Sequence, residues 1–199
     1  MPVSLIPAFL FYCYTNGITP GPANLCSLSA AMNYGRKQAL IQWRGLIFGF
    51  WIDAMIAVLI NGVLGAALGK YVGYLSYVGA AYILWLAIKI LRTSYDHVGD
   101  EQEAAANCNF RTGLIVQLTN AKVILFCITA LASYVTPYTN SLLTLFLVGC
   151  FLPLTGPICN LAWLFAGDRL RGLFLKYPRP LNIIMAIALV LCAISLVRH

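Results

Sequence analysis

The 199-residue chain is 61% hydrophobic and only 10% charged, where a soluble domain carries roughly 25% charged residues. That leaves too little polar side chain to coat a globule, and it argues against a soluble enzyme or a nucleic-acid binder despite a net charge of +7. A bilayer core takes about 20 helical residues to cross, so the length holds six spans: one membrane domain, residues 1–199, and little else.

Charge-free runs locate the spans, because a charge at the bilayer centre is costly. The first charge is Arg36, so residues 5–31 form span one. Within it, Thr19-Pro20-Gly21-Pro22-Ala23-Asn24 breaks the helix: the two prolines remove the amides that would bond the carbonyls of Asn16 and Ile18. Non-helical backbone at membrane depth persists only where protein buries it or water lines it, so the run points to a cavity. A helix restarting at Pro22 aims free amides and a positive dipole end at that cavity, which suits a carboxylate. The chain has no basic leader with a small-residue cleavage site, so span one is expected to be retained.

Span two is expected over residues 45–69, with Asp53 about 12 Å deep at about 1.5 Å per residue. Asp53 can bind an ammonium group, carry a proton, or neutralise Lys122 or Arg44. Gly45 and Gly49, and Gly65, Gly69 and Gly73, form small-xxx-small patterns that let helices approach. Span three covers residues 71–88. Residues 89–111 then carry Arg92, Asp96, His97, Asp100, Glu101 and Glu103 and read as a solvated linker.

Span four covers residues 112–135. Lys122 falls about 15 Å along it, too deep to snorkel, so it must face a cavity or a partner. After the turn-forming Thr136-Pro137-Tyr138-Thr139-Asn140 comes span five, residues 141–167, with a second break at Pro153-Leu154-Thr155-Gly156-Pro157 followed by Asn160. Its prolines free the carbonyls of Gly149 and Pro153, which can hold an ammonium group. Residues 180–197 form span six. Tyr71, Tyr74, Tyr77, Tyr134 and Tyr138 fit membrane-interface anchors.

Ten of the thirteen basic residues fall in the loops after spans one, three and five, while Lys70 and Arg198 lie on the other side. The basic side faces the cytoplasm, and both termini are expected to be periplasmic. Two halves of three spans each, residues 1–91 and 112–199 around a cytoplasmic loop at 92–111, must insert in opposite orientations, the inverted-repeat layout of many secondary transporters. Six of the seven cysteines lie in spans as small hydrophobes, with no C-x-x-C pair, and neither His97 nor His199 lies in a span. No metal site, cofactor or catalytic constellation is expected, and the single intramembrane carboxylate disfavours a cation transporter.

Thr19-Pro20-Gly21-Pro22 with Gly35-Arg36, Gly45 and Gly49 resembles the opening signature of the LysE/RhtB amino-acid exporters. Residues Gly79 to Trp85 with Lys89 and Arg92, and Phe110-Arg111-Thr112-Gly113 leading to Asn120 and Lys122, resemble two further family motifs. Gln117-Leu118-Thr119-Asn120-Ala121-Lys122 and Leu181-Asn182 look most like the branch exporting cysteine and O-acetylserine. Two positions depart from the family: Ala23 stands where Asn usually follows P-G-P, and Ala121 replaces the Pro of N-P-K, so span four need not be broken at Asn120.

The resemblance implies an all-α integral protein of the bacterial inner membrane, exporting small neutral amino acids by proton antiport; a homoserine/threonine-type exporter is the alternative. Thr19, Pro20, Gly21, Pro22, Asn24, Asn120, Lys122, Thr155, Gly156, Pro157 and Asn160 are the candidate substrate-binding residues, with Asp53 as proton-coupling group or charge partner. The expected partners are an amino acid, a proton and the bilayer. No nucleic acid is expected, and a homo-oligomer is neither required nor excluded.

Overall fold

The computed structural model describes residues 2–64, 108–139 and 141–198, with positions 77, 80, 81, 83–85, 87, 88 and 91. Most of the third span and the linker therefore lie outside the described residues. So do Lys70, Lys89, Arg92, Tyr71, Tyr74, Gly65, Gly69, Gly73, Asn140 and both histidines.

After a 3-10 turn at Val3–Leu5, helix α1 runs Ile6–Ile18 and stops at Thr19, whose backbone is extended (φ −63°, ψ 141°). Helix α2 starts at Pro22 and runs to Leu64, but Gly35 inside it has φ 80° and ψ 167°. That is the left-handed side of the map, open to glycine and costly for other residues. The glycine divides α2 into two arms. In the first arm Asn24 bonds Asn160 (2.8 Å) and Leu28 backs on Gly167, while Arg36, just past the glycine, lies 4.7 Å over the ring of Phe165. Trp43, Phe50 and Val58 of the second arm then meet Pro157, Gly156 and Gly149 in turn, so the chain reverses at Gly35.

The second half supplies α3 (Phe110–Leu118), α4 (Ala121–Tyr134), α5 (Leu142–Phe151), α6 (Gly156–Lys176) and α7 (Pro178–Arg198), with 3-10 turns at Thr136–Tyr138 and Leu152–Leu154. Asn109 caps α3 reciprocally with Thr112, which fixes where the helix begins. Span four is broken after all, at Thr119 (φ −97°, ψ 3°) and Asn120 (φ −82°, ψ 88°). No proline is needed: the amide of Thr119 still makes the helical bond to Ile115 O, and the chain then tightens, with the amides of Asn120 and Ala121 bonding the carbonyls of Gln117 (2.9 Å) and Thr119 (3.1 Å).

The helices pack as a bundle with α2 at its centre, most extensively against α6 and α3. Gly45 and Gly113 sit where α2 crosses α3: a Cβ on Gly45 would land on the Phe110 carbonyl, and one on Gly113 on the Gln42 carbonyl. Larger side chains would force the helices apart. One apolar cluster joins α1, the second arm of α2, α4 and α5 through Phe9, Ala54, Phe126, Leu131 and Leu145. Another joins the first arm of α2 to α7, with Ala80, Ile83 and Ala87 of the third span between them.

Tyr134, half-buried at the end of α4, turns its ring inward, 5.6 Å from those of Phe9 and Tyr12, against the first cluster. Large apolar side chains cover the outside instead, Phe11 (74% exposed) and Val63 (80%) among them. Such a surface belongs in lipid. Among the described residues three helical segments, Pro22–Val63, Ala121–Tyr138 and Leu142–Leu170, are long and apolar enough to cross a membrane.

Candidate substrate pocket

The break at Thr19 to Pro22 meets the break at Thr119 and Asn120. α1 and α4 run antiparallel, with the hydroxyls of Tyr12 and Thr129 2.7 Å apart, and this places Lys122, in the first turn of α4, beside the end of α1. Its Nζ donates to the carbonyls of Asn16 (3.0 Å) and Thr19 (3.0 Å) and to the Thr19 hydroxyl (2.7 Å), with Pro20 O at 3.5 Å. The approach is close because Gly21 has no side chain: a Cβ there would come 2.9 Å from Lys122 Cδ.

Each carbonyl left over by the break finds a donor from another helix. Asn24 gives its Nδ2 to Gly17 O (2.8 Å) and Thr19 O (2.9 Å), and Trp163 Nε1 donates to Ile18 O (3.0 Å). Asn160 Nδ2 donates to Asn24 Oδ1 (2.8 Å), and Ser27 donates to Asn160 Oδ1 (2.7 Å), so the amide that caps the break is itself held from α6. Satisfying each polar group is what keeps a broken helix tolerable at membrane depth.

Beside this network is a half-open pocket with about 520 Å³ of atom-free space, its mouth included. Three helices begin on its wall: α2 at Gly21, Ala23 and Asn24, α4 at Asn120 and Lys122, and α6 at Gly156 and Pro157. First-turn amides lack partners within their own helix, and three positive dipole ends favour an anion. The rest of the wall is largely apolar, from Cys13, Leu46, Phe50, Val123 and Phe126, with Asn16, Gly17, Gln117 and Asn160 completing it.

Of the residues singled out in the sequence, Gly21, Asn24, Asn120, Lys122, Gly156, Pro157 and Asn160 line the pocket. Thr19, Pro20 and Pro22 form the break behind it. Thr155 is fully buried, its hydroxyl donating to Leu152 O (2.7 Å), and Pro157 O accepts from Trp43 Nε1 (3.1 Å). Asp53 is buried behind the wall (2% exposed), where Gln117 Nε2 donates to its Oδ2 at 3.2 Å; its hydrogen bond is to this amide and not to Lys122 or Arg44.

Gln117 and the apolar lining were missed by sequence reasoning. Gln117 left a signal, an amide within an otherwise apolar run, whereas Cys13, Phe50 and Phe126 look like any other core residue until the helices are assembled. Among the described residues no group of His, Cys, Asp or Glu has the arrangement of a metal site.

Comparison with known proteins extends the picture over nearly the whole chain. The chain is 36% identical over 192 residues to the cysteine/O-acetylserine efflux protein of Salmonella typhimurium, covering 96% of this chain and 97% of that protein. It is 35% identical over 197 residues to the protein of that name in Klebsiella pneumoniae, covering 99% of each. The Escherichia coli K12 protein matches at 35% over 196 residues, 98% of this chain and 99% of that one. No solved structure matches significantly. The family model for LysE type translocators matches residues 16–199, a stretch that takes in all three breaks, Lys122 and the three helix starts, and the chain belongs to that family.

Proposed function

We propose that the chain is a secondary transporter that exports small neutral amino acids from the cytoplasm, with cysteine and O-acetylserine as cargo and a proton as the counter-ion. The observation that carries the reading is the convergence of three helix N-termini and one ammonium group on a pocket whose remaining wall is largely apolar. The first feature suits a carboxylate, and the second suits a short uncharged side chain. The names of the relatives supply the cargo.

In this mechanism the amides after Pro22 and the Lys122 ammonium receive the substrate carboxylate. Lys122 already holds the carbonyls of Asn16 and Thr19, so an incoming carboxylate competes for the same Nζ and loosens the tie between α1 and α4. Asp53, linked to the pocket wall through Gln117, is the proton-carrying group. Alternating access is a rocking of the half at residues 1–91 against the half at 112–199. The reading has six spans in the inner membrane with both termini periplasmic. The alternation of spans is supported by the directions of the described helices, since α1 runs antiparallel to α4, and the second arm of α2 runs parallel to α3 and antiparallel to α5; the sidedness rests on the basic loops.

Uptake of labelled cysteine into inside-out vesicles, with and without an imposed pH gradient, tests the reading. Uptake accelerated by a gradient that is acidic inside the vesicle is expected, and Asp53→Asn should abolish the acceleration. No protein-dependent uptake of either amino acid would remove the proposed cargo.

A further inference from the structure

Asn120 differs from Asn109, which also stands immediately before a helix. Asn109 at the head of α3 has extended backbone (φ −136°, ψ 178°), and its side chain accepts from the amide of Thr112 at 3.0 Å. Asn120 stands in the same position before α4, but at ψ 88° it makes no side-chain cap. The amides of Val123 (2.9 Å) and Ile124 (3.1 Å) bond its backbone carbonyl. Its Oδ1 is left buried with no hydrogen-bond partner, in a residue only 1% exposed that lines the pocket. A buried, unused acceptor is a cost to the empty protein, which a bound donor removes.

The charges around the pocket indicate which donor. The starts of α2 and α6, with Lys122, make one side positive. Asn120 heads α4 but also follows the end of α3, whose negative pole offsets the start of α4 at this point, and one turn back on α3 Gln117 bonds the buried carboxyl of Asp53. We propose that Asn120 Oδ1 is the acceptor for the substrate's α-ammonium group, with Asp53 supplying the countercharge through Gln117. The assignment rests on the amino-acid export reading and deepens it: the pocket recognises a zwitterion, carboxylate at one pole and ammonium at the other, and leaves the side chain to the apolar wall.

The test compares binding of L-cysteine with binding of 3-mercaptopropionate, which keeps the carboxylate and the thiol but lacks the ammonium group. Affinities are measured by calorimetry on the full chain purified in detergent. Wild type is expected to prefer cysteine by roughly 10-fold or more, the scale of a charge-assisted hydrogen bond. Asn120→Leu should bring the two affinities together by weakening cysteine alone, while leaving thermal stability of the empty protein unchanged or higher because an unused acceptor is gone. Asn120→Asp, which keeps an acceptor oxygen, should retain the preference.

A cysteine preference that survives in Asn120→Leu overturns the assignment, as does a wild type that binds both compounds equally; both results leave the export reading standing. Binding of neither compound by wild type overturns the export reading and the assignment with it.

Discussion

Lys122 shows how one side chain joins two broken helices. Its ammonium spans the gap between the start of α4 and the end of α1, satisfying carbonyls that no backbone amide reaches. Lys122→Met keeps the aliphatic stem and removes the charged donors, leaving Asn16 O with the Thr19 hydroxyl alone and Thr19 O with Asn24 Nδ2 alone. The expected cost is about 1.5–3 kcal/mol, the range for hydrogen bonds to a charged group, read as a lower unfolding temperature in detergent, together with loss of transport. An unchanged unfolding temperature would mean that the ammonium does not hold the break. At Trp163 the tie is single: Trp163→Phe removes the bond to Ile18 O and should cost about 1 kcal/mol by the same measurement.

At the scale of elements, glycine placement decides how closely α2 can pack. Gly45 and Gly113 lie at backbone-to-backbone contacts, whereas a Cβ on Gly172 of α6 would meet nothing within 4 Å. Gly45→Ala should therefore destabilise by about 1–3 kcal/mol through overpacking, while Gly172→Ala should stabilise by about 0.5–1 kcal/mol through helix propensity. Opposite shifts in thermal unfolding for the same chemical change are the expected outcome. Gly35→Ala should cost about 1–2 kcal/mol, because its φ of 80° is unfavourable for a residue with a Cβ.

At the scale of the whole molecule, Arg36, Lys37, Arg111, Arg169 and Lys176 sit on elements that meet at one end of the bundle, where α2 reverses, α3 begins and α6 ends. Leu142 lies at the other end, against Gly62. With that basic end cytoplasmic, a cysteine at Lys37 in a background lacking the seven native cysteines should react with an impermeant maleimide only in inside-out vesicles. A cysteine at Leu142 should react in intact spheroplasts. The reverse pattern would invert the topology.

Composition and charge-free runs were enough for a helical membrane chain, because the cost of placing charges and unpaired backbone in hydrocarbon leaves few alternatives. Thr19-Pro20-Gly21-Pro22 and Pro153 to Pro157 marked two breaks directly, since proline removes a donor wherever it stands. The break at Thr119 and Asn120 was not legible in that way: Ala121 allows a continuous helix, and the interruption coincides with the packing of Lys122 against the end of α1. Asp53 and Lys122 were each visible as charges out of place, but their partners were not, because a carboxyl bonded to Gln117 and an ammonium bonded to backbone carbonyls depend on which helices lie side by side. Tertiary structure alone decided that three helix starts share one pocket, since Gly21 and Asn120 stand 99 positions apart in the chain and Asn120 and Gly156 stand 36 apart, and only the packing of α2 against α4 and α6 brings them together.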